Sequence, residues 1–110
     1  MQQNNIEEIL KTVKEISTEV VTPEAFEVDK HSQWPEKSIR AFQQAGLGGL
    51  VASTNIGGKG HGLYGLVRVC ETIAEECAST AMCLGMHYVG TAVIAAKATN
   101  FKKINFYSLL

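Results

Sequence analysis

At 110 residues the chain has room for one domain and a modest core, burying about 60–70% of the surface that its unfolded form exposes. Apolar residues make up 45% and charged residues 19%, which is globular rather than disordered composition. A formal net charge of −1 supplies no concentrated positive field, which argues against nucleic acid or an anionic membrane surface as partner.

The charge is unevenly placed. Acids and bases crowd the stretch from Met1 to Ala45, whereas no Asp, Glu, Lys or Arg occurs between Cys77 and Ala96. The first part reads as a solvated shell and the second as a segment surrounded by other protein. Cys70, Cys77 and Cys83 give an odd number of thiols without paired spacing, and neither a basic nor an apolar leader region follows Met1. Reduced thiols in a cytoplasmic compartment are the expectation.

In chain order, Ile6, Ile9, Leu10, Val13, Ile16 and Val20 recur at helical spacing, with Glu and Lys opposite, and predict an amphipathic helix from about Asn4 to Val21. Thr22-Pro23 predicts a break and a fresh start, followed by a short helical segment to Lys30 with Ala25 and Val28 facing inward. His31 to Trp34 is a loop. Pro35 opens the next helix, striped by Ile39, Phe42 and Ala45 and stopped by Gly46. Most of the glycines fall between Gly46 and Gly65, so that run predicts a long loop packed closely against something.

Leu63 to Cys77 regains the helical period through Leu66, Val67, Cys70, Ile73 and Ala74. Ser79 or Thr80 is expected to cap a long helix rich in small residues that runs to about Ala98. Its uncharged stretch is long enough to cross a bilayer. Its Ser, Thr, His and Gly residues, and the lack of aromatic or basic flanks at both ends, argue instead for a buried helix and no membrane span. Asn100 to Leu110 resembles the opening of one more amphipathic helix. The predicted fold class is all-α, a bundle of about five helices in one domain over residues 1–110.

Several motifs invite a chemical reading. Gly60-His61-Gly62-Leu63-Tyr64-Gly65 satisfies the dinucleotide fingerprint, but that motif works only after a buried strand, and no convincing strand precedes it. Gly57 to Gly60 lacks the spacing and the hydroxyl residue of a phosphate loop. Cys83 and His87 share a helix face, four residues apart. Metal binding would need further ligands at suitable spacing, so no metal is predicted. A catalytic Cys83 is disfavoured, because mid-helix burial in an apolar segment raises a thiol pKa. A small core cysteine beside one hydrogen-bonded histidine is the plainer reading of the pair, and lining a ligand cavity is the other. Glu71, Glu75 and Glu76 read as solvated helical acids rather than general bases.

Taken together and in order, several segments resemble the N-terminal domain of acyl-CoA dehydrogenases: Pro23 through Asp29, Trp34-Pro35-Glu36, Ala45-Gly46-Leu47-Gly48-Gly49-Leu50, Asn55-Ile56-Gly57-Gly58-Lys59-Gly60, and Glu71 through Met82 into Leu84-Gly85-Met86-His87. Ala52-Ser53-Thr54 departs from the Pro-acid pair usual in the family, and Asn100-Phe101-Lys102-Lys103 from its acidic turn. The resemblance implies an FAD-dependent oxidoreductase that introduces a double bond between the α and β carbons of an acyl-CoA thioester. A complete member adds a β-domain and a C-terminal four-helix bundle, which hold most of the FAD and the catalytic glutamate. On that comparison this chain is expected to be a fragment without catalytic residues, inactive alone, and paired with a missing-domain partner or as a homo-oligomer. Its small-residue helix would form one wall of the acyl pocket through Cys83, His87 and Thr91. A fragment of a same-fold flavin-dependent monooxygenase and a stand-alone helical interaction module are the alternatives.

Overall fold

The computed structural model describes residues 2–54, 58–97 and 99. Five α-helices account for most of them, and no strand occurs among the described residues. They are α1 (Gln2–Ile16), α2 (Thr22–His31), α3 (Glu36–Gln44), α4 (Gly62–Ala74) and α5 (Ala78–Lys97). The expected all-α fold is therefore observed. The segment from Asn100 to Leu110, the stretch 55–57 and the predicted helix end at Ala98 lie outside the described residues.

The break expected at Thr22-Pro23 does not occur. Instead a π-helical turn, Ser17–Val21, carries α1 directly into α2. A proline inside a regular helix removes one amide bond and presses its ring against the preceding turn. Widening that turn relieves both problems: the Thr22 amide bonds back five residues to the Ser17 carbonyl. The Thr22 hydroxyl lies 2.9 Å from the same carbonyl and 2.7 Å from Glu76 Oε2, two acceptors competing for one proton. The chain thus passes the proline without turning away.

A left-handed Ser32 (φ 51°) ends α2. The next helix is started by a residue outside it. Glu24 of α2, only 8% exposed, accepts the Ser38 amide and hydroxyl on Oε1 (3.0 and 2.7 Å) and the Lys37 amide on Oε2 (3.0 Å). A carboxylate thereby fills the role of a cap, satisfying free amides at the positive end of the α3 dipole. At the other end, Gly46 takes φ +80°, with Leu47 N–H bonded to Phe42 O and Gly46 N–H to Gln43 O. That is the double bond of a Schellman stop, sealed by the buried Phe42 and Leu47.

The glycine-rich connection folds back on itself, as expected of a tightly packed loop. Lys59 N–H bonds Gly49 O, Gly60 N–H bonds Ala52 O and His61 N–H bonds Leu50 O. Leu47, Leu50 and Ala52 are buried beneath it, and any Cβ at Gly58 would collide with the Ala52 backbone. α4 stops at Ala74, three residues short of the predicted Cys77, and a turn at Glu75-Glu76 leads into α5. α5 begins at Ala78, so Ser79 and Thr80 sit inside its first turn rather than before it. The core gathers Val13, Val21, Val28, Phe42, Leu47, Leu50, Val69, Ile73, Leu84 and Tyr88 from all five helices, the π-helical turn and the loop.

α5 is 20 residues long and apolar enough, by length and composition, to cross a membrane. Its inward stripe (Ala81, Leu84, Tyr88 and Thr91) is buried against this core. Its outward stripe is bare. The expectation of a helix surrounded by protein is met on one side.

Candidate acyl-pocket wall on the fifth helix

The three residues singled out from the sequence occupy successive turns of α5, yet their surroundings differ. Cys83 is half-buried and lines a cavity of about 520 Å³ with Val28 and Asp29 of α2, the Ser32–Pro35 loop, and Ser79. Loss of solvation raises its thiol pKa, and the nearby Cys77 adds to the shift. A thiol held protonated is a poor nucleophile.

His87 faces the glycine-rich loop instead. Its Nε2 lies 2.8 Å from the Gly48 carbonyl. A carbonyl only accepts, so Nε2 carries a proton and donates it to Gly48 O. The next residue repeats the arrangement: the fully buried Tyr88 donates its hydroxyl to Leu47 O at 2.9 Å. Burial raises the Tyr88 phenol far above its usual range. Two neighbouring side chains of α5 thus clasp two neighbouring carbonyls of the loop that follows α3. Tyr88 was not singled out in the sequence, where it reads as one more apolar position.

Thr91 is fully buried, and its hydroxyl donates to His87 O at 2.9 Å, one turn back along the helix. It holds the segment that carries His87. The structure therefore brings His87, Tyr88 and Thr91 into one hydrogen-bonded support, and sets Cys83 on the cavity side of the same helix.

Other features are arranged without a reaction centre. Gly60 (φ +72°) and Gly62 (φ +59°) lead into α4, but no strand precedes them among the described residues. A cavity of about 400 Å³ beside them mixes Glu8, Thr12, Lys59 and His61, with His61 kept below its usual pKa by burial first and by Lys59 second. No strand among the described residues aims a phosphate at this helix end, and opposite charges line the cavity. No three His, Cys, Asp or Glu side chains gather as a metal site among the described residues. Glu71, Glu75 and Glu76 are exposed, as expected of solvated acids.

Comparison with known proteins bears on the domain to which this helix belongs. Residues 3–106 match the model for the acyl-CoA dehydrogenase, N-terminal domain. Cyclohex-1-ene-1-carbonyl-CoA dehydrogenase of Geobacter metallireducens is 32% identical over 75 residues, 68% of this chain and 20% of that protein. The short-chain-specific acyl-CoA dehydrogenase of Clostridium acetobutylicum is 26% identical over 79 residues, 72% of this chain and 21% of its own length. The 3-sulfinopropanoyl-CoA desulfinase of Paraburkholderia xenovorans is 25% identical over 73 residues, 66% of this chain and 19% of its own. The chain spans about one fifth of the length of these relatives. No solved structure matches it. With nearly the whole chain covered by the family model and the helices in the expected order, the protein belongs to the acyl-CoA dehydrogenase family, as its N-terminal helical domain.

Proposed function

We propose that this domain serves an FAD-dependent acyl-CoA dehydrogenase as one wall of the acyl pocket, and that the 110-residue chain has no dehydrogenase activity by itself. Support comes from the Cys83-lined cavity, on the helix to which the family resemblance assigns that wall. The relatives' names add a second argument. Two are dehydrogenases and one a desulfinase, yet all three act on CoA thioesters. What they share with this domain is then better matched to thioester recognition than to one bond-breaking step.

In that role Cys83 presents a protonated, weakly polar surface to the acyl chain. His87 and Thr91 belong to the same wall and act by holding α5 against the loop. In the complete family member, flavin accepts the hydride and protein groups supply position and electrostatics. Neither the hydride acceptor nor the general base is assigned to a residue of this chain. The three unbridged thiols fit a reducing, cytoplasmic compartment. A purified 110-residue chain is expected to be colourless and to give no acyl-CoA-dependent dye reduction when FAD is added. Copurifying flavin or measurable turnover would refute the proposal. A flavin-dependent monooxygenase would share this helical domain and differ in the parts that carry the chemistry.

A further inference from the structure

The cavity of about 400 Å³ between α1 and the glycine-rich loop shares no lining residue with the one beside Cys83. Glu8, Ile9 and Thr12 of α1 form one side of it, and Leu47, Lys59 and His61 stand among the residues of the other. The ion pairs among the described residues are His31–Glu27 and Arg40–Glu36. Glu8 and Lys59 thus line one cavity with opposite charges, and neither is paired. The place of the ammonium is fixed by Gly46, where a Cβ would come 3.9 Å from Lys59 Nζ. That is the negative end of the α3 dipole, which offers a lysine only about half a unit charge and leaves it free to take an anion. His61 adds a ring nitrogen, Nε2, that is closed off from solvent and bonded to nothing. Buried polar groups are nearly always bonded, so this wall is left incomplete by the described residues of the domain itself.

The two signs of charge narrow what fits. An anion such as phosphate gains from Lys59 and is repelled by Glu8, and a simple cation meets the reverse. A molecule that carries both charges satisfies both residues at once. Ile9 and Leu47, core residues that also line the cavity, give its body an apolar surface to rest on. The volume falls in the range of about 300–1,000 Å³ usual for small-molecule sites. Glu8 is exposed and Lys59 half-buried, so each charge contributes modestly and the affinity is in the millimolar range.

We propose that this cavity binds a small zwitterion with an apolar body, the chemistry of a free aliphatic amino acid, with its ammonium at Glu8 and its carboxylate at Lys59. Amide resonances of the 110-residue chain, followed by NMR at pH 7 during titration with leucine, should shift at Thr12, Lys59 and His61 and half-saturate below about 10 mM. Leucinamide keeps only the positive charge and N-acetylleucine only the negative one, so each should bind at least about fivefold more weakly. Lys59→Met should weaken leucine at least about fivefold and Glu8→Gln about threefold, both with unchanged helical circular dichroism. Glycine, which lacks the apolar body, should bind more weakly than leucine. No saturable shift by about 10 mM leucine, or a chain without helical dichroism, would overturn the proposal. So would equal binding of leucine and its two singly charged analogues, or affinity indifferent to both substitutions. Glycine binding as tightly as leucine would overturn the apolar part of the assignment, and shifts confined to the residues around Cys83 would overturn the site.

Discussion

At the residue scale, single side chains settle how the helices meet, and each can be removed separately. Glu24 accepts three hydrogen bonds from α3 while almost wholly buried. Replacing it with alanine strands the buried Ser38 amide and hydroxyl and the part-buried Lys37 amide, so Glu24→Ala should cost about 2–4 kcal/mol in urea unfolding, and Glu24→Gln less. Tyr88→Phe removes the partner of Leu47 O and should cost about 1–3 kcal/mol by the same measurement. Its phenol is held protonated by burial, so its pKa in the folded chain lies above that in the unfolded chain. The unfolded chain therefore loses that proton first, and stability should begin to fall once pH passes about 10. That alkaline component should be absent in Tyr88→Phe. His61 has the opposite sign of pH dependence. Its folded pKa lies below the ordinary value, so its stabilising share is present above about pH 6.5 and declines as pH falls below it. His61→Gln should flatten the loss between about pH 7 and pH 5 in thermal melts; an unchanged slope would assign the loss to other groups.

At the element scale, the helices follow the apolar period closely while their ends follow specific bonds. The stop at Gly46 was legible because a positive φ costs glycine less than a residue with a Cβ, and its two Schellman bonds confirm the reading. Gly46→Ala should cost about 1 kcal/mol, measured as a lower urea midpoint at constant slope. The passage through Pro23 was not legible. Proline forbids a regular turn, but it does not say whether the chain will leave the helix or widen it. Widening wins here because Val13 before the proline and Val28 after it are both buried, and one continuous rod brings them to the core together. The start of α5 was misplaced by one or two residues for a related reason: Ser79 and Thr80 suit a cap, but Cys77 supplies the first carbonyl, accepting from Ala81 N–H.

At the scale of the whole molecule, a bundle with one covered and one bare face suits a domain that works inside a larger assembly. The order of segments, the all-α class, the glycine stop and the family could all be read along the chain, because each rests on residues near one another or on a pattern repeated over a few turns. Cys83 could also be placed on α5 beside His87, since helical spacing alone sets that relation. The sequence by itself did not determine that Glu24 caps a helix more than ten residues away, or that His87 and Tyr88 clasp Gly48 and Leu47. Those contacts join distant positions, and only burial in a common core brings a carboxylate, an imidazole and a phenol to polar groups that would otherwise lie unpaired. Tertiary packing also decided which side of α5 the core would take: its sequence is apolar all round, so the choice lay with the partners available.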